Sequence, residues 1–349
     1  MIRRILPLLL AIAFTATATA QTTGHGVVVT SDGVGVSDAA VMLKGRPTYI
    51  TDSAGRFEFA IDSGTYRIER VVRPGYRLVS PPLPYVSTDS VSPVRIVMEQ
   101  QESSCQRTVR EYGASLYRQA LECERRQLYG DGADSMIRRA DLDTMNVRWQ
   151  YEAGEYFHKY GDYSTAQKFY NRAIHKAREL YGDKNQYLAH CYQLYGDNYM
   201  MWRVWGEDSK LNYADAKTYY QQAGHYWYSL LGESNRHTAL IYNKMSHCWL
   251  ELDNAEAARK CLDKAVGILE GHPDGDARLL AQTYENLVYV YLKLIEGHYA
   301  AGRYDACMEL LQKSLAIEKQ LHGEEGEVYL LLLHQIDLLK EEMPGNGEK

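Results

Sequence analysis

The chain has 349 residues, 45% hydrophobic and 24% charged, with a formal net charge of −6; that composition is ordinary for a soluble globular protein and the length allows more than one domain. An acidic balance without a basic block argues against nucleic acid as a partner, and beyond the N-terminus no stretch is long and apolar enough to cross a bilayer. Tyrosine is the anomaly: 29 in all, 25 of them after residue 100. That suits a helical stack whose contacts are filled by amphipathic rings, with a binding surface of exposed tyrosines as the other reading.

Residues 1–20 read MIRRILPLLLAIAFTATATA: Arg3 and Arg4 precede an apolar run, and small residues at Ala18 and Ala20 precede Gln21. This is the pattern of a secretory signal peptide, and the apolar run is too short for a membrane span. No cysteine stands near the cut, which argues against a lipid-anchored form. Its removal leaves 37 basic against 45 acidic residues, a net charge of −8, on a chain expected to be exported to a bacterial periplasm, cell surface or medium.

Residues 21–100 have β character. Val27 to Val29, Ala40 to Leu43, Phe57 to Ile61 and Tyr66 to Val72 are β-prone runs broken by Asp32-Gly33, Asp52 to Gly55 and Ser63-Gly64, and Arg56 to Phe59 alternates as a half-wet strand does. Such spacing predicts a small antiparallel β-sandwich. Pro74, Pro81, Pro82, Pro84 and Pro93 mark edge strands and extended loop. The runs GVVVTSDGVGVSDAAVML (26–43), TDSAGRFEF (51–59) and SGTYRI (63–68) resemble the carboxypeptidase-regulatory-like, transthyretin-like domain. The resemblance implies a non-catalytic accessory module. Asp32, Asp38 and Asp52 are turn formers first and calcium ligands second, since no D-x-D-x-D-G loop is present.

Residues 101–146 form a helical bridge. Tyr112 to Tyr129 reads as helix, Asp131 to Asp134 as a loop, and Asp141 and Asp143 as candidate caps for the next helix. Tyr117 to Gly130 echoes Tyr170 to Gly182 with a slip of one residue, so the bridge reads as a degenerate opening repeat.

From residue 147 to 342 a pattern recurs. Tyr151 to Gly182 reads as two amphipathic helices joined at Gly161-Asp162, with Gly154 and Phe157 in the first and Ala166, Tyr170 and Ala173 on one face of the second. Later copies carry Gly196, Tyr199, Ala216, Tyr220 and Ala223; Ser246, Trp249, Ala258, Leu262 and Ala265; and Val288, Tyr291, Cys307, Leu311 and Ser314. The intervals Ala173 to Gly196, Ala223 to Ser246 and Ala265 to Val288 are each 23 residues, and the basic period is 42. A small residue, a turn glycine and then A-x-x-x-Y-x-x-A resembles the tetratricopeptide repeat. The long period and the LYGD and LLGE ends are similar to the kinesin light chain variety. The resemblance implies a superhelix with a concave groove for a peptide or protein. Copies two and four carry insertions; the first, around Met201 to Asn212, contains Trp202 and Trp205. Val328 to Leu339 reads as a closing cap helix with a polar outer face, and residues 343–349 as a disordered tail.

Of six cysteines, Cys191, Cys248, Cys261 and Cys307 sit inside repeat helices and read as buried thiols. If a bridge forms in this exported chain, Cys105 with Cys123 is the first candidate. No C-x-x-C, G-x-S-x-G, H-E-x-x-H, P-loop or G-x-G-x-x-G stands in context. His158, His175, His190, His225, His237, His247 and His334 are scattered, none at metal-ligand spacing from a partner. Catalytic residues, metal and cofactor are therefore not expected. In the repeat register the first helices present Tyr151, Glu155, His158, Gln193, Asp197, Asn243, His247, Asn286 and Tyr289 to the groove, a polar and aromatic mix able to bond a peptide backbone and stack on its side chains. The fold expected is a small antiparallel β-sandwich followed by an all-α helical-hairpin superhelix, an α-solenoid. The function expected is an exported, non-enzymatic binding or scaffold protein that holds a protein or peptide. The alternative is a carbohydrate- or cell-wall-binding accessory protein acting through the sandwich.

Overall fold

Eight short described strands come first. They are β1 (Thr22–Val29), β2 (Ala40–Leu43), β3 (Thr48–Ile50), β4 (Arg56–Ile61), β5 (Thr65–Val72), β6 (Tyr76–Leu78), β7 (Tyr85–Ser87) and β8 (Val94–Gln100). They form two four-stranded sheets, ordered β4-β1-β8-β6 and β3-β2-β5-β7. Every pairing is antiparallel but one: β8 lies parallel to β1, with Val28 opposite Ile96. The computed structural model describes residues 22–61, 65–79, 85–87, 94–101, 103–202, 209–271, 276–297 and 302–342. The expected signal peptide, Pro81, Pro82, Pro84, Pro93, Trp205 and the 343–349 tail lie outside the described residues.

The sandwich core is Val28, Val41, Tyr49, Phe57, Phe59, Ile68, Ile96 and Met98. Gly26 is required by crowding, because a side chain there would meet the Phe57 ring. The strands β6 and β7 sit at sheet edges, as the proline-rich segment suggests, but β8 is interior.

Eleven described helices follow. They are α1 (Ser104–Arg125), α2 (Tyr129–Leu142), α3 (Val147–Lys159), α4 (Tyr163–Tyr181), α5 (Gln186–Met201), α6 (Ser209–Leu231), α7 (Arg236–Glu251), α8 (Ala255–Glu270), α9 (Ala277–Gly297), α10 (Gly302–His322) and α11 (Glu327–Glu342). Each odd-numbered helix up to α9 pairs with its successor, and each pair packs on the next. The fold is a β domain plus an α-solenoid.

The recurring residues have distinct mechanical roles. A Cβ on Gly154 would lie 2.6 Å from Cδ1 of Tyr170, and one on Gly196 would lie 2.6 Å from Cδ1 of Tyr220. The small residue of the first helix is thus the seat for the ring of the second. Copy three has Ser246 with Leu262 and copy four has Val288 with Leu311, all buried. Where the partner is leucine rather than tyrosine, the seat is serine or valine rather than glycine. Cys307 and Ser314 are fully buried, so the divergent fourth copy keeps the register.

Between pairs, Gly182 and Gly232 take φ of +77° and +83°, where a side chain would be strained. Asn185 and Asn235, three residues on, cap α5 and α7 and donate back to those glycine carbonyls at 2.6 Å. The G-x-x-N spacing is therefore a complete helix-stop, helix-start signal.

Four expectations need correction. Asp131 to Asp134 is not a loop but part of the first two turns of α2. Gly132 and Gly113 are crossing points, seated against Tyr156 and Trp149, and tertiary packing overrides their poor helix propensity. The cap of α3 is Asn146, which accepts from the Trp149 amide, rather than Asp141 or Asp143. Cys105 and Cys123 lie on one helix, and 18 residues at helical rise separate them by about 27 Å, far beyond disulfide reach. All six cysteines are free. The cap helix also departs from its expected polarity: α11 turns Leu332, Ile336 and Leu339 inward but leaves Val328, Leu330, Leu331 and Leu338 exposed.

The sandwich docks on the solenoid through the edge strand β3. The Thr48 amide donates to the Lys184 carbonyl at 3.0 Å, and the Ile50 amide to Oε1 of Gln186 at 3.1 Å. Asp38, in the left-handed region at φ +56°, accepts from the Tyr187 hydroxyl at 2.9 Å and faces Arg148 at 3.5 Å and Arg73 at 3.8 Å. One hydrophobic cluster runs through the sandwich and α1 to α7.

Candidate functional site

The first helices of neighbouring pairs lie side by side, α3 with α5 and α7 with α9. On α3, Arg148, Tyr151, Glu152 and Glu155 fall at i, i+3, i+4 and i+7 and so share a face. Arg148 donates to Glu152 at 2.7 Å. The Tyr151 ring meets His190 edge-on at 4.8 Å between centroids, with Tyr187 at 6.3 Å. Burial drives the Tyr151 phenol well above its ordinary range. Burial, then the neighbouring Glu152 and Asp197 carboxylates, push the Glu155 carboxyl up to about 7 against the pull of Arg148. Burial lowers the His190 imidazole to about 4, against the pull of Asp197.

Asp197 on α5 is a junction. It accepts from the Tyr220 hydroxyl and from the Lys244 ammonium, each at 2.6 Å. Beside it Asn198 is buried, with its Oδ1 3.2 Å from Nδ1 of His158 and its Nδ2 donating to the Tyr163 carbonyl at 2.9 Å. Between α7 and α9 the buried Asn243 amide donates to the Thr283 hydroxyl, and its carbonyl accepts from Asn286 at 2.7 Å.

The residues expected in the groove therefore divide. Tyr151, His158, Asp197, Asn243 and Asn286 join contacts between adjacent pairs, and Glu155 is half-buried beside them. Gln193 is half-buried, His247 is exposed, and Tyr289 is 53% exposed with Lys293 over its ring. Sequence reasoning missed Arg148, Glu152, His190, Asn198, Lys244 and Thr283. Arg148 and Glu152 carry a signal, the i, i+4 opposite-charge spacing on the face already chosen. The others have none, because their partners lie on other helices, far along the chain.

At the far end of this face an open groove of about 260 Å³ runs between α9 and α11. Val288, Tyr289, Leu311, Leu338 and Leu339 line it, with Glu285 and Gln335. Ser314 donates to Glu285 at 3.0 Å, and burial raises the Glu285 carboxyl. An apolar trough with two polar groups at its rim can take an apolar side chain and bond the backbone beside it. Among the described residues no group of three or more histidine, cysteine, aspartate or glutamate side chains is arranged to hold a metal ion.

No protein-family model matches the chain, and no curated protein matches it. Among solved structures, the chain is similar to BtubC (BKLC) from P. vanneervenii at 20% identity, over 67% of this chain and 83% of that one, with a TM-score of 0.46. It is similar to TTC0263, a thermophilic TPR protein in Thermus thermophilus, at 12% identity over 66% and 99%, with a TM-score of 0.42. It is also similar to nearly identical TPR-like repeats from Podosopora anserina at 14% identity over 57% and 86%, with a TM-score of 0.43. At scores this low the likenesses carry no argument, and the helical-hairpin stack rests on the packing of the chain itself.

Proposed function

We propose that the chain is an exported, non-enzymatic scaffold that holds a peptide or protein segment on the face formed by its first helices. The observation that carries this is the contrast along that face. Toward α3 and α5 its polar groups are bonded to one another and the sandwich abuts them, whereas toward α9 and α11 an apolar groove stays open, with Tyr289 53% and Leu338 47% exposed. The repeat pattern of residues 147–342 supports the same reading through its resemblance to tetratricopeptide proteins. Export rests on the pattern of residues 1–20, and among the described residues no helix is long and apolar enough to cross a membrane.

The test is a pull-down from bacterial envelope extract with the whole chain after residue 20, since the sandwich and repeats share one core. Tyr289→Ala with Leu338→Asp should release the specific partners while circular dichroism stays unchanged. Retention of every partner by the folded double variant refutes the groove.

A further inference from the structure

The groove between α9 and α11 has an apolar floor of Val288, Leu311 and Leu339, all buried, and an open rim of Tyr289 and Leu338. At about 260 Å³ it falls short of the roughly 300–1,000 Å³ of small-molecule sites. That is room for a pair of side chains from a longer segment rather than for a whole small ligand.

One lining group is charged. Glu285 is half-buried in the groove wall, and Ser314 donates to its Oε1 at 3.0 Å. Among the described residues no lysine or arginine pairs with this carboxylate. On the surrounding helices Lys293 lies over the Tyr289 ring, and Lys313, Lys319 and Lys340 pair with other carboxylates. Arg278 stands two turns before Glu285 on α9, about 10 Å away by helical rise. Glu318, 5% exposed and one turn beyond Ser314 on α10, adds a second negative charge close enough to act on Glu285. Burial raises the Glu285 carboxyl, the Ser314 hydrogen bond pulls the other way, and the Glu318 charge adds to the rise. Covering such a carboxylate with a purely apolar ligand costs its solvation, which an opposing cation offsets. The net charge of −6 favours the approach of a basic partner.

We propose that this groove docks a protein segment bearing a lysine or arginine next to a bulky aliphatic or aromatic residue. The apolar side chain lies in the trough against Tyr289 and Leu338, and the cation meets the Glu285 carboxylate. The proposal rests on the groove reading given above and adds the chemistry of the partner.

A random-peptide phage library selected on the whole chain after residue 20 tests it, with the Tyr289→Ala/Leu338→Asp chain as counter-selection. Peptides that require the groove should carry lysine or arginine beside a bulky apolar residue. In fluorescence anisotropy a selected peptide should bind Glu285→Gln roughly tenfold more weakly or worse, since a charge-assisted hydrogen bond corresponds to at least that ratio. Glutamine keeps an acceptor for Ser314, and circular dichroism should match the parent. Replacing the basic residue of the peptide by norleucine should cost a similar factor, and the two changes together should cost no more than either alone. Groove-dependent peptides without a basic residue, or equal binding to Glu285→Gln, overturn the cation and leave the groove standing. Failure to recover any groove-dependent peptide overturns both. A parent chain that sediments as a dimer and becomes monomeric on Tyr289→Ala/Leu338→Asp makes a second copy the occupant and overturns the proposal.

Discussion

Gly154→Ala isolates the seat on which the repeat is built. The added methyl would stand 2.6 Å from Cδ1 of Tyr170, whereas unstrained carbon contacts lie at about 3.5–4.0 Å. Tyr170 is 1% exposed and its ring meets Tyr195 at 6.2 Å on its far side, so it has little room to recede. Overpacking of this kind costs about 1–3 kcal/mol, and the walled ring places this site near the top of that range. Replacing glycine within a helix returns about 1 kcal/mol of propensity. The net expectation is a loss of about 2 kcal/mol, seen as a lower urea midpoint in far-UV circular dichroism at unchanged slope.

The decisive comparison is the double variant. Tyr170→Leu alone should cost about 2–3 kcal/mol through the cavity it leaves. With leucine opposite, the methyl of Gly154→Ala no longer collides, and the corresponding buried positions of the later copies already carry a larger seat with leucine, Ser246 with Leu262 and Val288 with Leu311. Gly154→Ala/Tyr170→Leu should therefore be at least as stable as Tyr170→Leu alone, a coupling of about 2–3 kcal/mol. Strict additivity, or a Gly154→Ala chain as stable as its parent, refutes the account of the seat.

Asp38→Ala should cost about 1–3 kcal/mol by leaving Tyr187, Arg148 and Arg73 without their acceptor; limited proteolysis between β8 and α1 should speed up, and unchanged cleavage counts against the junction. Glu155 is half-buried with its carboxyl raised from 4.5 to about 7, so the folded state holds its proton more tightly than the unfolded chain, and stability falls as pH rises from about 4.5 to 7 and then levels. Glu155→Gln should remove that slope and exceed the parent by about 1–3 kcal/mol at pH 8, read from urea midpoints across pH. His190, lowered from 6.5 to about 4, acts in the opposite sense: the folded state excludes its proton, so stability is full above about 6.5 and is lost as pH falls toward 4. The difference between parent and Glu155→Gln isolates the carboxyl, and an unchanged slope in the variant counts against this site. A thiol reagent should titrate Cys105 quickly, Cys123 more slowly and the four buried thiols only after unfolding; four fast thiols in the native chain contradict the packing.

What could be read from the chain follows how local each determinant is. The seats at Gly154 and Gly196 and the faces of α4 and α6 are periodic patterns, and they were legible. The strands β3 and β6, three residues each, carry no period, and α2 was hidden because Asp131 to Asp134, with Gly132 among them, reads as a loop until Tyr156 is known to lie against Gly132. The junction is the least legible part. Asp38, Thr48, Arg148 and Tyr187 come from four separate segments, and nothing near any of them in sequence announces the others. The candidate face was half legible for the same reason: the helix pattern gives which residues share a face, while Lys244 reaching Asp197 depends on the crossing of two helices.

That crossing also bears on where a ligand can bind. A peptide approaching Asp197 must displace Lys244 and Tyr220, both already at 2.6 Å, and replace intramolecular bonds with intermolecular ones that carry the added entropy of association. Nothing favours that exchange unless the newcomer offers equal donors at the same places. At Asn243 the competition is harder still, because the amide is buried and bonded on both its nitrogen and its oxygen. Between α9 and α11 no such bond has to break: Tyr289 and Leu338 present apolar surface to water, and covering it is favourable at about 25 cal/mol per Å². The physics of the face thus separates its two ends, with polar residues fixing the stacking of neighbouring pairs, and it is the apolar end to which the proposed function assigns recognition.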